Sequence, residues 1–68
     1  MVKPIRFTRS ARGHRIGQAH ALHVMNTAEP IDDEDGIGWI GLDDRGVELE
    51  IYLLERPDVL LVIHVMPT

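Results

Sequence analysis

Three apolar, β-rich runs separated by two tight turn signals fill the second half of the chain: Ile37 to Leu42, Val47 to Leu54 and Val59 to Met66, with Asp43-Asp44-Arg45-Gly46 and Arg56-Pro57-Asp58 between them. Asp, Gly and Pro are the residues that tight turns demand, so the pattern predicts an antiparallel meander. In the middle run Glu48 and Glu50 alternate with Val47, Leu49, Ile51 and Leu53, which gives that strand one buried and one wet face. The last run is apolar on both faces and predicts a central or covered strand.

The first half must supply whatever covers this sheet. Ile5 to Thr8 reads as a short strand, and Pro4 suits the start of an edge strand. Thr8 or Ser10 can cap a helix, and Arg9 to Asn26 lacks proline and is rich in helix formers. Gly13 and Gly17 interrupt it, each at about 1 kcal/mol against alanine, so the prediction is a first turn through His14, a bend near Ile16 and Gly17, and a second helix to about Asn26. The stripe Ile16, Ala19, Leu22 and Met25 is expected to dock on Val47, Leu49, Ile51 and Leu53. Thr27 to Gly36, with Pro30 and the acids Asp32, Asp33, Glu34 and Asp35, reads as a solvated loop. The expected class is α+β: a single domain over residues 1–68, in which a broken N-terminal helix packs on one face of a small antiparallel sheet, a short N-terminal strand plus a three-stranded meander.

Sixty-eight residues leave no room for separate cofactor and substrate domains. A chain this short buries only about 60% of its unfolded surface, which favours a partner subunit and makes a homo-oligomer an expectation. The absence of cysteine excludes disulfides and cysteine-ligated zinc and fits a reducing cytoplasm. No apolar run approaches the roughly 20 residues of a membrane helix, so no membrane partner is expected.

Charge is distributed unevenly. Lys3, Arg6, Arg9, Arg12 and Arg15 recur at every third position, giving +5 before the first acid, Glu29; from there eleven acids face only Arg45 and Arg56, a local balance of −9 within a total of −4. A concentrated basic segment can contact phosphates locally even in an acidic chain, although basic residues also solvate helices or pair with internal acids. Of the four histidines, His20 and His23 lie at helical spacing and His64 could add a third nitrogen, but there is no HExxH pattern, and no metal or other cofactor is expected. His64 stands in an apolar strand. An even-length loop around Pro57 would turn it toward Leu49 and Ile51, and an odd-length one toward Glu48, Glu50 and Tyr52. Metal-free RNA cleavage needs a base for the 2′-hydroxyl, positive charge for the phosphate and a proton for the leaving oxygen. His14, His64, Tyr52 and Arg12 are the candidate catalytic groups, and Lys3, Arg6, Arg9, Arg12 and Arg15 the candidate RNA-binding ones. Trp39 is expected in the core or at its rim rather than stacked on a base. No Gly-rich phosphate loop, GxSxG elbow or cysteine nucleophile is present.

The segments IRFTRSARGHRIG, HVMN and WIGLDDRGVELEIYLLERPDVLLVIHVMPT together resemble small toxins of the BrnT type, within the RelE/ParE-like superfamily of toxin–antitoxin systems. The resemblance spans nearly the whole chain and implies a helical N-terminal part packed on an antiparallel sheet. It further implies a toxin that inhibits translation by cleaving message, with RNA or ribosome-bound message as target and an antitoxin protein as partner. Arg12, His14 and Arg15 match the segment where such toxins carry an arginine or histidine. Where RNA-cleaving members place an arginine or tyrosine in the last strand, this chain offers His64. The alternative expectation is a non-enzymatic interaction module that works as an oligomer or with a partner protein.

Overall fold

The computed structural model describes residues 3–13 and 15–68; the proposed role of His14 falls outside them. The chain forms β1 (Ile5–Phe7), α1 (Gln18–Thr27), β2 (Ile31–Asp32), β3 (Gly36–Leu42), β4 (Glu48–Glu55) and β5 (Leu60–Pro67). The five strands make one sheet in the order β1-β5-β4-β3-β2, with α1 on one face. The class is α+β as expected, with two differences. β1 pairs with β5 in parallel, so the sheet is mixed, and the segment read as a solvated loop contributes a two-residue edge strand. β2 was hidden because Ile31 is its one apolar residue; its pairing rests on backbone bonds to Gly38 and Ile37 rather than on burial.

The expected first helical segment is instead a run of turns over residues 9–13, and the expected second helix is α1. Thr8 N–H donates to the Val62 carbonyl at 3.0 Å, and the Thr8 hydroxyl accepts from Ala11 N–H at 3.3 Å, so Thr8 both closes β1 and caps the following turn. Short-range bonds from Arg12 to Arg9 and from Gly13 to Ser10 keep that segment as successive turns. At Arg15 the backbone enters the left-handed region (φ +56°), reversing the chain before α1 begins after Gly17. α1 ends with the Thr27 hydroxyl donating to the His23 carbonyl at 2.8 Å, shortly before Pro30.

The core is built mainly by the sheet. Leu49, Ile51 and Leu53 of β4 and Val62 and Val65 of β5 are fully buried, joined by Val24 from α1. At about 1.5–3 kcal/mol for each such side chain, these six dominate the favourable side of folding. The predicted docking stripe holds only in part: Ile16 and Met25 pack against the core, but the buried contacts of α1 are Ala21 and Val24, with Ala28 just beyond it, while Ala19 is exposed and Leu22 half-buried. An α-helix turns 3.6 residues per turn, so a stripe at strict spacing of three drifts off the contact face. Val47, expected under the helix, is also exposed. Close approach is possible because Gly41 lies beneath α1; a Cβ there would stand 2.8 Å from the Ala28 Cβ.

Val62 and Val65 are both buried although three residues apart, an odd spacing that a regular strand cannot place on one face. The irregularity lies at Ile63: Leu53 faces Val62, but Tyr52 faces His64. This bulge moves His64 and all that follows by one residue. The loop between the paired Glu55 and Leu60 is even in length, so on loop parity alone His64 would face the core; the bulge reverses that and sets it on the open side beside Glu50 and Tyr52.

Glycine at β3 can be tested directly. A Cβ on Gly36 would lie 1.9 Å from the Leu53 carbonyl oxygen, whereas one on Gly38 meets only ordinary contacts at 3.6 Å. Gly36→Ala should lower unfolding free energy in urea by about 1–3 kcal/mol, with Gly38→Ala staying within about 1 kcal/mol of wild type.

Candidate functional site

The sheet face opposite α1 is uncovered by any described element and carries the residues that can do chemistry. Across it runs the row His64, Tyr52, Gly38 and Ile31, set by direct pairing of β5, β4, β3 and β2. Because Gly38 has no side chain, the row is interrupted by a hollow. Together with Ile40, Glu50 and Asp33 these residues line a concavity of about 470 Å³. Its walls are mostly apolar, and Ile31, Ile40 and Leu42 are exposed to 56%, 51% and 58% on this side.

Two hydrogen bonds fix its polar groups. His64 Nε2 lies 3.1 Å from Glu50 Oε1 on the neighbouring strand, and the Tyr52 hydroxyl donates to Asp33 Oδ2 at 3.0 Å. The Asp33 carboxylate raises the Tyr52 phenol above its ordinary range, first through this hydrogen bond, then with partial burial and the charges of Asp33 and Asp35 adding to it. Tyr52 is therefore a proton holder and donor near neutral pH, while the His64 imidazole has a carboxylate to orient its ring.

The residues of the expected basic stripe lie on different elements. Lys3 pairs with Glu55 at 3.2 Å, an exposed contact of small energetic weight. Arg6 stands on β1 on the open face, because its row continues through Leu61 and Leu54, while Phe7 and Val62 point to the core. Arg9 and Arg12 are exposed on the turn that follows β1, which bonds β5 through Thr8 at Val62, two residues before His64, and Arg15 is exposed at the reversal. Among the described residues no ion pair involves these four arginines, and no hydrogen bond joins Arg12 to His64 or Tyr52. His64 and Tyr52 are thus brought together, Arg12 is on the adjoining turn, and Asp33 and Glu50 are partners that sequence reading did not assign. Asp33 was hidden by its place in an acidic stretch; Glu50 was named beside His64 for one of two phases, and the bulge selects that phase.

A second cluster lies on the helix side, where ligand atoms of His20, Asp43 and Asp44 fall within 4.8 Å of one another. Asp43 is committed elsewhere. Its Oδ1 accepts from the Arg45 and Val47 amides at 2.8 and 3.0 Å, and its Oδ2 from Arg45 Nε and an Arg45 terminal nitrogen at 2.9 and 2.6 Å. His20 Nδ1 lies 2.5 Å from Asp44 Oδ1 and ties the first turn of α1 to the β3–β4 turn. Four donors on one carboxylate leave no lone pair directed at a metal, so this grouping closes the turn, whose Gly46 takes a φ of +81°. Trp39 is buried in the core, as expected.

Compared with models of known protein families, with curated proteins and with solved structures, the chain matches none.

Burial alone would raise the Asp43 carboxyl; the Arg45 side chain and the Val47 and Arg45 amides outweigh it and hold the group down, from 3.8 to about 2. A depressed folded-state pKa stabilises above the unfolded value and is lost as pH falls through the folded one. Asp43→Asn should therefore melt at lower temperature than wild type at neutral pH, and the gap should close as pH falls from 3.8 toward 2. Tyr52 is the single tyrosine of the chain, so tyrosinate absorbance reports it alone. Its titration midpoint should lie above 10.0 and move back toward that value in Asp33→Asn.

Proposed function

We propose that this chain is a toxin-like protein of a toxin–antitoxin pair that acts on RNA as a metal-independent endoribonuclease. The observation that supports it is the setting of His64, held by Glu50 next to Tyr52 in an open concavity, with the exposed Arg9 and Arg12 on the turn that adjoins its strand. In this reading His64 takes the proton of a ribose 2′-hydroxyl as that oxygen attacks phosphorus. Tyr52 supplies a proton to the departing 5′-oxygen, leaving a cyclic phosphate. Arginine forks on the turn neutralise the phosphate as negative charge builds. Glu50 orients the imidazole without touching substrate. The protein partner implied by the family resemblance is an antitoxin, and the site of action is the cytoplasm.

One observation favours a second reading. The concavity is bordered by Glu50 and Asp33, which repel phosphate, and it is flanked by exposed Ile31, Ile40 and Leu42. An apolar face with an acidic border is the chemistry of protein docking, and on this reading the chain is a non-enzymatic interaction module.

Cell-free translation with primer extension on the message separates the two. Wild type should stop translation and create new message ends. His64→Ala should slow their appearance by about 100-fold or more, the usual loss on removing a general base, and Arg12→Ala should weaken the effect in a salt-dependent way. Intact message and undiminished translation at high protein concentration would sink the RNA reading and leave the interaction module.

A further inference from the structure

The open sheet face is self-complementary. One ladder across it runs Arg6, Leu61, Leu54, Gly36 and then Asp33, whose amide bonds the Gly36 carbonyl at 2.9 Å. A cation stands at one end of this row, a carboxylate at the other, and apolar or bare positions lie between. We propose that this face pairs with the same face of a second copy of the chain about a two-fold axis running along the strands.

Such an axis leaves height along the strands unchanged and exchanges the two edges of the sheet. With the strand order β1-β5-β4-β3-β2, β4 meets its own copy, β5 meets β3, and β1 meets β2. Arg6 of each copy then lies over Asp33 of the other, forming the ion pair twice. In the next row His64 of one copy faces the hollow at Gly38 of the other. In the row beyond, Met66 faces Ile40, since both stand at the level of Glu50. An in-plane axis across the strands would instead set Arg6 on Arg6 and Asp33 on Asp33, so charge selects the first arrangement. Glu48 and Glu50 lie on the axial strand, but each is drawn toward the β5 side, Glu48 by the Thr68 hydroxyl and Glu50 by His64.

The size is adequate for a weak dimer. Five strands about 4.8 Å apart, three of seven or eight residues and two edge strands of three and two, at about 3.3 Å per residue give a face on the order of 450 Å². Two such faces bury about 900 Å², the size of a weak, transient interface. The pairing would cover exposed Ile31, Ile40 and Leu42, and aligned sheet packing suits two faces of this shape. Because it covers His64, RNA chemistry at that histidine would belong to the monomer; the pairing itself does not rest on the RNA reading.

Sedimentation velocity from about micromolar to about millimolar protein tests it. Wild type should dimerise, and Arg6→Asp and Asp33→Arg should each weaken self-association at least about tenfold by setting like charges together twice. An equimolar mixture of the two variants should recover a wild-type-strength dimer, since both contacts are again opposite in sign. Ile40→Asp, a change to an exposed side chain, should weaken the dimer independently should Asp33→Arg fail to fold by circular dichroism. A monomer at millimolar concentration, a dimer indifferent to Arg6→Asp and Ile40→Asp, or folded charge variants that do not recover on mixing would each overturn the proposal.

Discussion

Leu53 and Ile51 stand two residues apart on β4, while the residues that face them on β5, Val62 and Val65, stand three apart. All four are buried, and the demand to bury them fixes an extra residue at Ile63. The hydrophobic requirement of the core therefore decides the chemistry of the opposite face. Without the extra residue the imidazole of His64 would lie opposite Ile51 under the helix, where a polar ring without a partner costs a few kcal/mol. With it, the ring reaches Glu50 and stands beside Tyr52.

Coverage on the other side is thin but tight. Among the described residues one ten-residue helix lies against the sheet, and it reaches the core through Ala21, Val24 and Met25 because Gly41 gives it room. Its first turn is tied to the β3–β4 turn by His20 and Asp44, next to the fully satisfied carboxylate of Asp43. Side-chain burial and polar closure thus meet at one corner, so that turn and helix position each other.

The strands of the second half were legible because turn residues bracket each run and Glu48 and Glu50 mark the wet side of β4. The bend before α1 was legible from Gly17, which stands at its N-cap. What could not be read was phase. Val59 to Met66 is apolar apart from His64 and offers no alternation from which to locate a bulge, so the sequence left the face of His64 open. The docking face of α1 was misread because two of its contacts are alanines, which carry little hydrophobic signal, whereas Leu22 looks like a core residue and is only half-buried. Asp33 was concealed by its acidic neighbours, and its bond to Tyr52 depends on a two-residue strand held by backbone alone. Tyr52 beside His64 was foreseen as one of two outcomes. Arg12 was a candidate from the requirement of RNA cleavage for positive charge at the phosphate, and its side chain shares no hydrogen bond with His64 or Tyr52.

Arg6, Arg9 and Arg12 lie on β1 and the turn after it, and Asp32, Asp33, Glu34 and Asp35 on β2 and the turn after it, with β5, β4 and β3 between the two groups. Charges of opposite sign held apart in this way form an electric dipole lying across the strands, roughly in the plane of the sheet. A dipole in the field of a polyanion feels a torque before it feels any contact, and its direction is set by geometry rather than by net charge. This molecule, repelled overall as an anion, would turn its arginine edge toward a nucleic acid and its carboxylate edge away while still a Debye length off. Raising the ionic strength would remove that rotational bias first and leave short-range bonds for last.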